Sequence, residues 1–301
     1  MNKMILSTAG LFCMLLLVIG CTKTPDDENY LESATANING LDVQWRAYMT
    51  NEQRQVISGI IADMVYVEGG IFTMGATQAF DADARINESP AHLVKLTDFY
   101  ICAHELTYDQ VHAILPTTRA SNIYEFGGKY LNYTWEEWNH VLRILTDFTG
   151  IEFSFPSEAQ WEFAARGGNH SKGYRYPGSN NWEDVYADDL NGTDDTVPNE
   201  LMLYNMANRR SEWCGDAYAD YTDGPMPTNP LVTIGAGHVV RGGCHVSTGT
   251  SKNWTSTLTS QTSFISVYED WRMSRPTARA THSYSSWDIA CRPVINIRTD
   301  K

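Results

Sequence analysis

The apolar positions of this chain fall into several unlike patterns. Met4 to Ile19 is a nearly unbroken apolar run preceded by one charge, Lys3. Its length suits the hydrophobic region of a secretory signal better than a spanning helix, so residues 1–20 read as a signal peptide. Thr22 to Asn29 is polar and carries Asp26, Asp27 and Glu28, the pattern of a solvated tether, and residues 21–50 are assigned to it. Val56, Ile57, Ile60, Ile61 and Met64 then recur at helical spacing behind Thr50 and Gln53, a capped start. Residues 51–63 are therefore expected to form a short amphipathic helix docked on the main body. Met64 to Met74 alternates apolar residues around Gly69-Gly70 and predicts a hairpin. Ser157 and Gln160 predict a second capped helix, with Trp161, Ala164 and Ala165 on its buried face and Gly167-Gly168 as a left-handed stop. No long Ser/Gly or Pro-rich linker interrupts residues 64–297, and no repeat appears, so that stretch is expected to be one domain.

Composition narrows the function classes. Of 301 residues, 43% are hydrophobic and 12% aromatic, which excludes disorder for most of the length. The 22 Gly and 11 Pro point to a turn-rich chain, not a helical bundle. With 22 Lys+Arg against 36 Asp+Glu, the net charge of -14 excludes nucleic acid as a partner, because phosphate binding needs basic side chains. Cys13 lies in the signal and Cys21 just after it. Cys102, Cys214, Cys244 and Cys291 remain, and three disulfide pairings stay open for an exported chain. No Cys/His spacing of a zinc site occurs.

Leu17-Val18-Ile19-Gly20-Cys21 resembles a bacterial lipobox. The resemblance implies cleavage before Cys21 and its lipidation, and two or more acyl chains anchor a protein stably. The acidic run that follows resembles a surface-export signal. The expected location is the cell envelope, lipid-anchored in the outer membrane, with the membrane as a partner through the anchor; surface display and a merely solubilising tether both stay open as readings of the acidic run.

Several blocks together resemble the formylglycine-generating enzyme (sulfatase-modifying factor) family. They are Met64-Val65-Tyr66-Val67-Glu68-Gly69-Gly70-Ile71-Phe72-Thr73-Met74-Gly75, then Glu88-Ser89-Pro90-Ala91-His92-Leu93-Val94, Phe99-Tyr100-Ile101 and Glu105-Leu106-Thr107. The most specific is Phe155-Pro156-Ser157-Glu158-Ala159-Gln160-Trp161-Glu162-Phe163-Ala164-Ala165-Arg166-Gly167-Gly168. Pro198-Asn199-Glu200-Leu201, Glu212-Trp213-Cys214, Val240-Arg241-Gly242-Gly243 and Ala290-Cys291-Arg292 complete the series. The resemblance implies an α+β, C-type-lectin-like single domain over residues 64–297, with modest regular secondary structure and many ordered loops.

The same resemblance exposes a departure. Catalytic members of the family oxidise a peptide cysteine with two thiols that bind copper(I), a metal that soft thiolates suit. The matching positions here are Ser247 and Lys252, while Cys244 stands where the family has a serine. No catalytic residue, no copper and no required cofactor are expected. The family's calcium site falls on Asn208 and Glu212, the candidate calcium ligands, but Arg209 intrudes, and Arg209 or Arg210 can pair with Glu212 instead. The acidic stretch from Glu183 to Glu200 reads as a solvated loop, with a calcium-bound loop as the other reading. His92 and His104 read as structural. The candidate ligand groove comprises Arg241, Gly243, Cys244, His245, Ser247 and Trp287, with His238, Trp254, Trp271 and Tyr284 nearby.

The functional expectation is thus a cell-envelope lipoprotein and pseudoenzyme that binds a peptide, a glycan or an envelope protein. The alternatives are an oxidase or other modifying enzyme with an unusual site, and a structural subunit of an envelope or surface assembly.

Overall fold

The computed structural model describes residues 31–79, 81–116, 131, 133–186, 196–207, 210–243, 245–248, 266–269, 276–282 and 289–297. The signal peptide, Cys21 and the acidic run to residue 30 lie outside the described residues. Strands β1 (Ala34–Ile38) and β2 (Leu41–Trp45) form an antiparallel hairpin around Asn39-Gly40. Both turn residues have left-handed φ, 53° and 79°, as the tight hairpin turn requires. Val43 and Trp45 enter the core, and Met49 is fully buried behind a Leu31–Met49 bridge. Residues 31–50 are therefore a folded part of the body, not a tether. Their Asn-Gly turn and the alternation Leu41, Val43, Trp45 outweigh the acidic residues upstream.

Helix α1 (Asn51–Ala62) starts on the expected capping box of Thr50 and Gln53 and buries Ile57, Ile60 and Ile61. The same Ser/Thr-x-x-Gln/Glu device opens α2 (Tyr108–Ile114), α3 (Trp135–Thr149) and α4 (Glu158–Ala165). Helix α4 departs from its expected one-sided burial. All eight residues are buried, including Glu158, Gln160 and Glu162. Gly167 and Gly168 end it with φ of 90° and 57°. A one-turn helix, α5 (Trp182–Val185), follows.

Strand β3 (Met64–Val67) pairs with β6 (Phe99–Cys102), which pairs with β14 (Val294–Asn296), which pairs with β7 (Phe153–Ser154). Strand β4 (Ile71–Met74) pairs instead with β5 (His92–Lys95). The hairpin predicted over Met64 to Met74 is thus absent, because its two arms belong to different sheets. Gly69-Gly70 is a crossing point. A Cβ on Gly69 would collide with the Leu96 carbonyl, and one on Gly70 with the Asn169 side chain. A second four-stranded sheet runs β12 (Arg279–His282), β9 (His238–Arg241), β8 (Ser211–Ala217), β13 (Ile289–Ala290), with β13 parallel to β8. Strands β10 (His245–Thr248) and β11 (Ser266–Glu269) form a separate antiparallel pair. Two apolar cores result. One packs α1, α2 and α3 against Trp213 and Ile295, and the other packs α4 against Phe99, Leu203 and Val294. The mixture of helices and open sheets is α+β.

Candidate functional site

Helix α4 carries two carboxylates one turn apart, Glu158 and Glu162, and both are buried. Arg279 grips Glu158 bidentately, Nε to Oε1 at 2.7 Å and Nη2 to Oε2 at 2.8 Å. Glu162 pairs through Oε2 with Arg241 Nη2. Its Oε1 accepts from Arg166 Nη2 at 2.7 Å and from the Gly75 amide at 2.9 Å. Burial acts to raise the Glu162 carboxyl, but Arg166 and Arg241 outweigh it and hold it below the usual carboxylate range. Beside them Glu212 takes both nitrogens of Arg292, at 2.6 and 2.9 Å, and the Trp161 indole N–H at 2.8 Å. Arg292 also donates to the carbonyls of Cys102 at 3.0 Å and Tyr204 at 2.8 Å. Arg279 excepted, these charged residues come from the sequence blocks quoted above, and together they form a largely buried ionic framework.

That geometry corrects part of the groove assignment. Arg241 is 1% exposed and spends its charge on Glu162, so it does not line a groove. Gly243 is buried, and a Cβ there would overlap the Ser211 amide nitrogen. Glu212 has both oxygens engaged, and its guanidinium partner is Arg292, not Arg209 or Arg210; Arg210 faces Glu105 at 3.7 Å. Among the described residues no group of three or more His, Cys, Asp or Glu is arranged to hold a metal. Cys102, Cys214 and Cys291 are free, buried thiols, and burial pushes all three up, so they stay protonated. The disulfide alternatives among these three are thereby closed. His245 and Ser247 sit on β10 opposite Glu269 and Val267. A Ser247 hydroxyl and a Lys252 ammonium do not fit copper(I), which needs soft donors. Asn208, Arg209, Cys244, Lys252, Trp254, Trp271, Tyr284 and Trp287 lie outside the described residues. His92 and His104 are structural, as expected. His104 Nδ1 bonds Asp63 at 3.0 Å and stacks on Tyr204, and His92 Nδ1 bonds the Pro90 carbonyl.

The open feature is a cleft of about 770 Å3 between the start of α3, the start of α4, the head of β9 and the loop 229–233. Trp135, first residue of α3, stacks on His238 with centroids 4.0 Å apart and planes 6° from parallel. Its indole N–H is fixed to the Cys214 carbonyl at 2.9 Å, and Phe155 lies 4.9 Å away. Burial lowers the His238 imidazole below its ordinary value, so the ring is neutral at pH 7. Asp216 ties the cleft to the framework. It accepts from the Glu158 amide at 2.6 Å and from the Val232 amide at 2.9 Å, and burial lifts its carboxyl to about 6. In the sequence His238 stands out only beside other aromatics, nothing local marks Trp135 as a cleft residue, and Gln160 reads only as a cap.

The profile of the sulfatase-modifying factor enzyme 1-like domain matches residues 50–268 of this chain. The chain belongs to that family. The formylglycine-generating enzyme of Streptomyces coelicolor is 25% identical over 252 residues, covering 61% of this chain and 79% of that enzyme. The serine/threonine-protein kinase Pkn1 of Chlamydia trachomatis is 27% identical over 261 residues, covering 73% of this chain but only 40% of the kinase. The likeness to that kinase therefore spans less than half of its length. Among solved structures, Treponema denticola variable protein 1 superposes with a TM-score of 0.57 at 16% identity, covering 87% of this chain and 98% of that one. PvdO from Pseudomonas aeruginosa gives 0.58 at 18% identity, covering 78% and 94%. These two share the fold of the sulfatase-modifying factor-like domain, which is the α+β fold the sequence blocks implied.

Proposed function

We propose that this member of the family binds a ligand and does not oxidise one. The reading rests on the donor set at the family's thiol positions: Ser247 and Lys252 offer a hydroxyl and an ammonium where copper(I) chemistry needs two thiolates. The buried, protonated state of Cys102, Cys214 and Cys291 supports it, since none presents a thiolate to solvent. Fold alone does not carry activity; the site does. The family's charged motif residues also support the reading, because here they are consumed in holding α4 between the two sheets. The Leu17–Cys21 motif supports lipid anchoring in the cell envelope, with the domain displayed on the tether of residues 22–30. The occupant of the binding surface is a peptide, a glycan or an envelope protein. Phosphoryl transfer is not extended from Pkn1, since the likeness covers only 40% of that kinase.

The test is direct. The full chain is given copper(I), oxygen and a peptide carrying Cys-x-Pro-x-Arg, beside the Streptomyces enzyme as a positive control. Mass spectrometry then looks for aldehyde at the peptide cysteine. We expect none. Aldehyde above the copper-only background would establish the oxidase alternative and sink the binding reading.

A further inference from the structure

We infer that the cleft beside Trp135 and His238 is a binding site for a short, uncharged oligosaccharide. The inference deepens the binding reading above and rests on it. Charge sets the first limit. Among the described lining residues there is no Lys or Arg, and Glu152 is the one carboxylate. A phosphate or a carboxylated ligand would enter without a countercharge, and desolvating it there is costly.

Among the described residues, the polar side chains that line the cleft are four amides, four hydroxyls, Glu152 and His238. Asn139, Gln160, Asn229 and Asn296 all reach it. An amide presents a donor and an acceptor in one plane, which matches neighbouring hydroxyls that each donate and accept. Three of the four are already held in place. Gln160 Oε1 accepts from the Ser157 amide at 2.9 Å, and Gln160 Nε2 donates to Asn296 Oδ1 at 2.7 Å. Asn229 Oδ1 accepts from the Thr97 amide at 2.9 Å. Each of these –NH2 groups has a second hydrogen to give, and the geometry costs nothing further to fix on binding. Asn139 lies one turn beyond Trp135 on α3 and has no protein partner among the described residues.

The rings supply the apolar half. Trp135 is fixed by its bond to Cys214 and by the His238 stack, so the pair is a rigid platform edge for the C–H face of a sugar ring. The cleft volume of about 770 Å3 falls within the range of about 300–1,000 Å3 found for small-ligand sites. It accommodates a short oligosaccharide.

The experiment titrates the full chain, in detergent, with chitotriose, cellotriose and mannotriose. Trp fluorescence and calorimetry give the readouts, and trigalacturonate and a basic tripeptide serve as charged comparators. At least one neutral trisaccharide should bind, and more tightly than either comparator. Asn139→Ala should weaken that binding by about tenfold, the worth of one good hydrogen bond, with an unchanged melting temperature. His238→Ala should weaken it too and abolish the fluorescence change. The inference is overturned if no neutral trisaccharide binds, if a charged comparator binds better, or if both variants bind as tightly as the parent. It fails separately from the reading beneath it: missing aldehyde with missing trisaccharide binding removes this ligand only, whereas aldehyde removes the binding reading itself.

Discussion

The carboxylates of Glu158, Glu162 and Glu212 each meet a guanidinium out of reach of water, whereas the amides of Gln160, Asn229 and Asn296, at the mouth of a cleft, meet neutral backbone and side-chain groups. The first region holds the residues that identify the family, and its chemistry is spent on itself. The second takes only Phe155, Ser157 and Gln160 from an identifying motif, and its amides keep hydrogens to give. A buried charge pair tolerates no change of one partner, because the other is left uncompensated in a low dielectric. A cleft amide can be exchanged with little effect on folding. Family resemblance in this chain therefore reports how the body is built, and the proposed ligand would be chosen in a cleft to which the family blocks contribute only one edge.

The sharpest break in that comparison is Arg241→Ala. It strands Glu162 beside Arg166 alone and should cost about 3–5 kcal/mol in a urea titration. A loss below about 1 kcal/mol would show that the framework is not what holds the sheets together. Ser157→Ala acts where the two regions touch. It removes the acceptor for the buried Gln160 amide and should cost about 1–2 kcal/mol. It should also loosen trisaccharide binding, because it removes the Ser157 hydroxyl from the cleft lining and frees the helix start that carries Gln160. Asp216, which joins the regions, gives a pH signature. Its folded value of about 6 lies above the ordinary aspartate value, so between roughly pH 4 and pH 6 the folded chain holds a proton that the unfolded chain has released. Stability contributed by this group rises as pH falls, by about 1 kcal/mol from pH 7 to pH 5. Asp216→Asn should erase that slope in thermal melts taken across the window. The smallest effect belongs to Asn139→Ala, within about 0.5 kcal/mol on stability. A larger loss would mean that the cleft wall is part of the framework after all.

Local features were legible in the sequence. The capped starts at Thr50 and Ser157 and the glycine stop at Gly167-Gly168 depend on residues within one turn of each other, and all three stand as read. The family blocks gave the α+β fold for the same reason that they recur: they encode a shared interior. What escaped was pairing at a distance. Nothing near Glu212 in sequence marks Arg292 as its partner, 80 residues on. Residues 64–74 alternate as a hairpin would, yet the alternation only says that each strand has one buried side, and β6 and β5 claimed the two arms. The hairpin of residues 34–45 was overlooked although its Asn-Gly turn was in plain view, because the acidic run before it set the reading of the whole segment. The cleft was illegible for a stronger reason. Trp135, Gln160, His238 and Asn296 come from α3, α4, β9 and β14, and each has an ordinary local role in its own element.

Strand β14 is the last of the described strands in chain order, yet it lies inside its sheet, between β6 and β7. Arg292, just ahead of it, fastens on the carbonyl of Cys102, 190 residues earlier. A chain emerging from the ribosome accordingly carries an open β6 edge and an uncompensated Glu212 until residue 296 is out. Contacts of such long separation close slowly, since the loop entropy is spent before any contact returns it. For a polypeptide threaded across a membrane before it folds, as the proposed signal peptide requires, this late closure keeps the chain threadable for the whole passage. If the proposed signal peptide sends the chain across a membrane, the same strand would be the last to close the domain on the far side.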